Sequence, residues 1–176
     1  MTHKYAKIWL VFCLFVLISI AFFIWDRSAV EVEEIGFANE YIEKAITDYL
    51  VTQEYFAWQT QENSSKFCSI ENLSAENDLF PLYVWAYCQE YIFTDGQLKG
   101  LSGISVPVKI DYPNELSFYD INRFSYQAPG DGGSYSAQIK EMFPIAVQKR
   151  IINFDSKNII KKNETAALDW FNALNN

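Results

Sequence analysis

The sequence predicts an α+β protein: an N-terminal transmembrane helix, a helix packed on a curved antiparallel sheet of about four strands, and short C-terminal helices. Three patterns support this class: an apolar run at 8–25, apolar residues three and four apart within 38–50, and a strand at 82–93 that ends at an Asp-Gly turn. With 176 residues, half of them hydrophobic and 17% aromatic, the chain has material for one domain and one anchor.

The apolar run is long enough to span a bilayer. Residues 8–25 contain Ser19 as their polar interruption, and at about 1.5 Å per residue they cover about 27 Å, close to the hydrocarbon thickness. Trp9 and Trp25 lie at the two ends, where indole rings prefer the headgroup boundary. The alternative is a cleaved signal peptide, but the small residues at Ser19 and Ala21 precede further bulky apolar residues.

Charge on the two flanks of the run predicts its orientation. Lys4 and Lys7 precede it and acidic residues from Asp26 follow it, so the positive-inside bias leaves the N-terminus in the cytoplasm. The chain is then a plasma-membrane protein with a single span. Its predicted parts are a cytoplasmic tail (1–7), the transmembrane helix (8–25), an acidic stalk (26–36) and an extracytoplasmic α+β domain (37–176).

The exported part begins with an amphipathic helix and continues as antiparallel strands. The helical stripe, which ends near Glu54, consists of Ala38, Ile42, Ala45, Ile46, Tyr49 and Leu50. Two strands are predicted after this helix, KFCSIEN and LYVWAYCQEYIF. Alternation along the second strand places on one face the residues Tyr83, Trp85, Tyr87, Tyr91 and Phe93. The opposite face carries Leu82, Val84, Ala86, Cys88 and Ile92. Both faces are apolar, so this strand is predicted to be central.

Turn residues divide the remainder of the chain. The Asp95-Gly96 pair predicts a hairpin, and the returning strand, 98–112, contains glycines and a proline that predict a bend, a bulge or a sheet edge. A fourth strand is expected within 116–128. Helices are expected from Ser134 or Ser136 to Met142, after Pro144 with Val147 and Ile151 inward, and as a short final element around Leu168 and Phe171.

Two resemblances follow from these elements. The order helix then antiparallel meander, over roughly 38–128, resembles a cystatin-like or NTF2-like cone, which implies a fold but transfers no functional motif. The segments FPLYVWAYCQEY, YPNELSFYD and PGDGGSYSAQIKEMFP resemble those of small bacterial cell-envelope proteins with one N-terminal anchor. This likeness implies location and compactness, and no activity.

Cys68 and Cys88 are predicted to form a disulfide. Both lie in the part expected outside the cytoplasm, and antiparallel pairing of their two strands brings them to facing positions. The alternative is a pair of buried free thiols. A metal site is not expected, since two thiolates without a nearby histidine give half a tetrahedral shell.

Most catalytic designs are excluded by residue type. The single histidine is His3, in the predicted tail, so the exported part has no Ser-His-Asp or Cys-His arrangement and no HExxH zinc site. Phosphate-cradling glycine motifs are missing and the formal net charge is −8, so neither nucleotide nor nucleic acid nor any cofactor is expected. Catalysis by a pair of carboxyl groups is not excluded by residue type. Glu90 is the candidate acid, and Asp111, Asp120 or Asp131 is the candidate for the second carboxyl group. The alternative is that Glu90 is solvated or pairs with Lys99.

The aromatic stripe Tyr83, Trp85, Tyr87 and Tyr91 is the candidate binding surface. A sheet of this size must bury one face, so these rings are expected to form the core beneath the helix at 38–50. If they are exposed instead, rings of this kind stack on sugars or grip a peptide. The predicted function is a non-catalytic binding or assembly module of the cell envelope, with an envelope protein as partner. The alternatives are a carboxylate-dependent enzyme acting on glycans and small-ligand binding in the sheet concavity.

Overall fold

The computed structural model describes residue 37 and residues 40–56, 60–74, 80–113 and 119–174. The predicted tail, membrane span and stalk lie outside the described residues, as does Ala38 of the helical stripe. Within the described ranges, no helix combines the length and the apolarity needed to cross a membrane.

Helix α1 (Glu40–Thr52) is amphipathic, as its residue spacing predicts. Ile42, Ile46 and Leu50 are buried on one side, and Tyr49 joins them. These side chains belong to the same core cluster as the buried residues of the sheet, so α1 is held to the sheet by apolar packing.

The sheet has four antiparallel strands in the order of the chain and is curled into a half-barrel. The strands are β1 (Ser65–Asn72), β2 (Leu82–Thr94), β3 (Gln97–Asp111) and β4 (Ser125–Gln127). Strands β2 and β3 are joined by Asp95 and Gly96, with φ of 54° and 72°. Two successive positive φ values fit a type I′ turn, whose twist matches the flanking strands, so the predicted hairpin is confirmed.

The predicted disulfide is confirmed. Cys68 on β1 lies directly opposite Cys88 on β2 in the strand register, and their sulfurs are bonded at 2.04 Å. The bridge therefore joins neighbouring strands at facing positions, inside the core cluster that α1 covers.

The bulge expected in the returning strand lies near its start. Gln89 pairs with Gly103 and Tyr91 with Gly100, so two β3 residues, one of them Ser102, face Glu90 alone. A Cβ on Gly103 would lie 2.8 Å from the carbonyl oxygen of Cys88, so this close approach requires glycine.

The C-terminal region differs in length from expectation. Helices α2 (Tyr135–Met142) and α3 (Ile145–Ile152) follow the prediction, with Val147 and Ile151 buried, but α4 (Lys157–Leu174) has 18 residues and is not a short element. Strand β4 is shorter than 116–128, because the Asp120 carboxylate accepts the Asn122 N–H and begins a 3₁₀ turn where a strand was expected.

Both faces of β2 are covered, and by different helices. Leu82, Val84, Ala86 and Cys88 are fully buried in the cluster that includes α1. The expectation that α1 lies over the aromatic face is therefore wrong: the C-terminal helices pack on that side. Residues of α2 and α3 cluster with Tyr83 and Trp85, and residues of α4 cluster with Tyr91 and Phe93.

Candidate ligand-binding cleft

The Glu90 carboxylate is the centre of a buried hydrogen-bond network. Its side chain is 1% exposed and accepts bonds from the N–H of Thr60 at 2.6 Å, from the Thr60 hydroxyl at 2.8 Å and from the N–H of Gln61 at 3.3 Å. The Ser102 hydroxyl donates at 2.8 Å, and the Ser64 hydroxyl also donates to it. One carboxylate thus ties the segment before β1 to the bulge in β3.

These bonds decide the charge of Glu90. Burial raises the pKa of this carboxyl, but the hydrogen bonds from Ser64, Thr60 and Ser102 outweigh burial and hold the pKa at about 2. A general acid requires the opposite shift, since it must carry a proton near neutral pH. The geometry therefore favours a structural anion at Glu90.

The other candidate acids lie in separate settings. Asp120 caps the 3₁₀ turn that precedes β4, and Asp131 lies just before a second turn of this kind. Neither makes a hydrogen bond with Glu90 among the described residues. Lys99, the alternative partner of Glu90, has its Nζ 3.9 Å from Oδ2 of Asp95 instead.

A cleft of about 270 Å³ opens between α4 and the hairpin half of β2 and β3. Three of its lining residues, Gly100, Glu164 and Leu168, are exposed. Ligand pockets commonly measure about 300 to 1,000 Å³, so this cleft suits a small group and not an extended ligand. It is lined by Tyr87, Gln89, Tyr91, Leu98, Gly100, Glu164 and Leu168.

Gln89 forms one wall of the cleft and is fixed across β3. Its Nε2 donates to the carbonyl oxygens of Ser102 at 3.0 Å and Glu90 at 3.3 Å, while its Oε1 accepts the Tyr87 hydroxyl at 3.1 Å. A Cβ on Gly100 would lie 3.1 Å from the same Nε2. The amide therefore occupies space that glycine leaves open, and its protons are taken by these two carbonyl oxygens.

Tyr91 contributes a buried hydroxyl without a partner. The residue is 3% exposed, lines the cleft, and its hydroxyl makes no hydrogen bond within the part of the chain that the structure describes. Burial raises the pKa of Tyr91, and the Tyr87 hydroxyl, through its charge and as a nearby hydrogen-bonding group, and the Glu164 carboxylate raise it further. The two tyrosine hydroxyls are neighbours but do not reach hydrogen-bond geometry, and Tyr87 gives its own proton to Gln89. Buried polar atoms are normally satisfied, so this hydroxyl calls for a ligand or a water.

Helix α4 is fixed beside the cleft by Asn163, which is fully buried. Its Nδ2 donates to the Ser69 hydroxyl at 3.2 Å and to the Tyr87 carbonyl at 3.3 Å. These bonds hold α4 against β1 and β2 at the residue next to Glu164, so the position of the Glu164 backbone is set by buried contacts.

The four aromatic residues predicted as a binding surface fall into two groups. Tyr87 and Tyr91 line the cleft. Tyr83 packs on Phe143 with ring centroids 5.7 Å apart, and Trp85 stacks on Phe154 at 4.2 Å. The structure thus brings half of the predicted set to the cleft and packs the other half against the α2–α3 region.

Sequence reasoning missed Gln89, Leu98, Glu164 and Leu168. Gln89 had a usable signal, because it lies between Tyr87 and Tyr91 in the alternation of β2 and must share their face. Glu164 and Leu168 had none, since their place depends on how a distant helix packs.

Comparison of this chain with protein-family models, with curated proteins and with solved structures finds no match. Among the described residues there is also no group of three or more histidine, cysteine, aspartate or glutamate residues placed to hold a metal ion.

Proposed function

We propose that this chain is a non-catalytic binding module of the cell envelope, anchored by residues 8–25, that takes up a small group of an envelope partner in the cleft beside Tyr91. The observation that carries the proposal is a cleft of about 270 Å³ lined by Tyr91, a residue that is 3% exposed and whose buried hydroxyl has no hydrogen-bond partner among the described residues. An unsatisfied buried hydroxyl costs about 1 to 3 kcal/mol, and a ligand that bonds to it recovers that cost.

The walls of the cleft support binding because they are already ordered. Gln89 is held by three hydrogen bonds and Asn163 fixes the adjoining part of α4. A preformed site loses little side-chain freedom when the ligand arrives, so a small contact area can still give useful affinity.

The alternative of an enzyme acting on glycans receives less support. It requires two carboxyl groups about 5 to 10 Å apart with one of them protonated. The carboxylate of Glu90 is fully engaged in hydrogen bonds and its pKa is held at about 2. Binding of a free small ligand is the closer alternative, because the cleft has the size for it.

The extracytoplasmic location is part of the proposal and is supported by the Cys68–Cys88 disulfide, since such bonds persist in oxidising compartments. Alkylation of the denatured, unreduced protein is expected to label one cysteine per chain, Cys13. Labelling of all three cysteines in protein taken directly from cells contradicts this location. We also propose a cystatin-like or NTF2-like cone for α1 and the sheet, supported by the strand order β1-β2-β3-β4 with α1 against one face.

Site-specific photo-cross-linking in intact membranes tests the proposed function. A photoreactive amino acid replaces Leu168, which lines the cleft, and in a matched variant Leu174, which is exposed on the same helix and outside the cleft. The proposal predicts a discrete adduct from position 168 and none of the same mass from position 174. Equal adducts from both positions, or none from position 168, contradict it.

A further inference from the structure

We infer that the group taken up by the cleft is a cation: a primary ammonium carried on an alkyl chain. This inference rests on the proposed function and names its ligand chemistry. It follows from which polar atoms the cleft presents, which of them are already used, and what lies between them.

Hydrogen-bond acceptors dominate the cleft. The Gln89 amide protons go to the carbonyl oxygens of Ser102 and Glu90, and the Tyr87 proton goes to Gln89. Tyr87 therefore presents a lone pair to the cleft. The Glu164 carboxylate is an acceptor, and Tyr91 offers the single unused proton among these groups.

Glu164 is also an exposed carboxylate in the lining of the cleft. Within the residues that the structure describes, this carboxylate has no ion pair and no side-chain hydrogen bond, whereas the carboxylates of Asp95 and Asp155 each have a lysine within 4 Å. An ammonium donates three hydrogen bonds and accepts none, so it matches the lone pairs of the Tyr87 and Tyr91 hydroxyl oxygens and the Glu164 carboxylate. A sugar hydroxyl needs donors in return, and the cleft has one.

The apolar residues of the cleft suit the rest of such a ligand. Leu98 and Leu168 line it together with the tyrosine rings, so methylene groups can be buried while the charged end reaches Glu164. The chain as a whole carries a formal net charge of −8, which favours approach of a cation.

Calorimetric titration of the full chain in detergent micelles tests the inference with defined probes. The cation probe is Nα-acetyl-lysine methylamide, and its neutral match is Nα-acetyl-norleucine methylamide, which has a butyl side chain without the ammonium. Binding of the lysine probe at least tenfold tighter than the norleucine probe is expected, because the norleucine side chain cannot make the charge-assisted hydrogen bonds of the ammonium. Equal binding of the two probes overturns the inference.

Variants locate the binding. Glu164→Gln is expected to weaken the lysine probe roughly tenfold and Tyr91→Phe roughly fivefold, with Asp169→Asn, an exposed acid on the same helix, unchanged. Unaltered affinity in Glu164→Gln overturns the inference. Cadaverine distinguishes the source: tighter binding of cadaverine indicates a free amine, and tighter binding of the lysine probe a side chain of a partner protein.

The cation inference and the proposed function can be refuted independently of each other. If N-acetylglucosamine binds and the amines do not, the cation inference is wrong and the binding module stands. If the amines do not bind and the adduct from position 168 is also missing, the proposed function fails with it.

Discussion

Glu90→Gln tests the structural role assigned to the buried carboxylate. The pKa of Glu90 lies at about 2 against an ordinary value of 4.5, and each unit corresponds to about 1.4 kcal/mol, so the charge contributes about 3 kcal/mol to folding at neutral pH. Glutamine keeps one acceptor for the N–H groups of Thr60 and Gln61, and its NH₂ can face the hydroxyls of Thr60 and Ser102. The substitution therefore removes mainly the charge.

The pH dependence gives the prediction its sign. Because the folded pKa lies below the unfolded value, the contribution is complete above about pH 4.5, declines as the pH falls and is lost near pH 2. Urea unfolding of both proteins, followed by tryptophan fluorescence, is expected to show a gap of about 3 kcal/mol at neutral pH that closes over this range. Glu54→Gln, at an exposed acid, is the control. A gap that stays constant with pH, or one below about 1 kcal/mol at neutral pH, refutes the reasoning.

Four further substitutions, in two matched pairs, make predictions that are measured as shifts in thermal midpoint. Tyr91→Phe is expected to raise the free energy of unfolding by about 1 kcal/mol, because it removes a buried hydroxyl that has no partner among the described residues. Tyr87→Phe is expected to lower it by about 1 kcal/mol, because the bond to Gln89 is lost. The same sign for both variants contradicts the account. Gly103→Ala is expected to destabilise the fold by about 1 to 3 kcal/mol, because the added Cβ meets the opposite strand. The control Gly133→Ala, with open space around it, is expected to be neutral or slightly stabilising. A neutral Gly103→Ala shows that the bulge is not tightly packed.

The elements that the sequence predicts well are those governed by local rules. Alternation along β2, the Asp95-Gly96 turn and the facing positions of Cys68 and Cys88 each depend on neighbouring residues or on one strand pair. Such patterns carry their own physical cause, since side-chain period and positive φ are properties of a few residues.

Helix α4 was underestimated because its buried stripe is weakly apolar. The stripe consists of Ile159, Asn163, Ala167 and Phe171, each four residues from the next, and it includes a polar and a small residue. The bonds that Asn163 donates to the Ser69 hydroxyl and to the Tyr87 carbonyl form only in the tertiary structure. The covering of the aromatic face, and with it half of the cleft, therefore could not be derived from periodicity.

The hydrogen bonds to the Glu90 carboxylate also depend on residues that are distant in the sequence. The sequence places Glu90 on an apolar face, where burial alone raises the pKa, and the donors that reverse this shift come from Thr60, Ser64 and Ser102. Their approach requires both the β3 bulge and the path of the chain before β1.

Filling the cleft tests the central claim most directly. With the photoreactive amino acid at Leu98, which lines the cleft, adduct formation in intact membranes is compared between Leu168→Trp, which fills the opening, and Leu174→Trp, which adds the same ring outside the cleft on the same helix. The account predicts that the adduct is lost in Leu168→Trp and retained in Leu174→Trp. Retention of the adduct at equal yield in both variants contradicts the assignment of the cleft as the binding site.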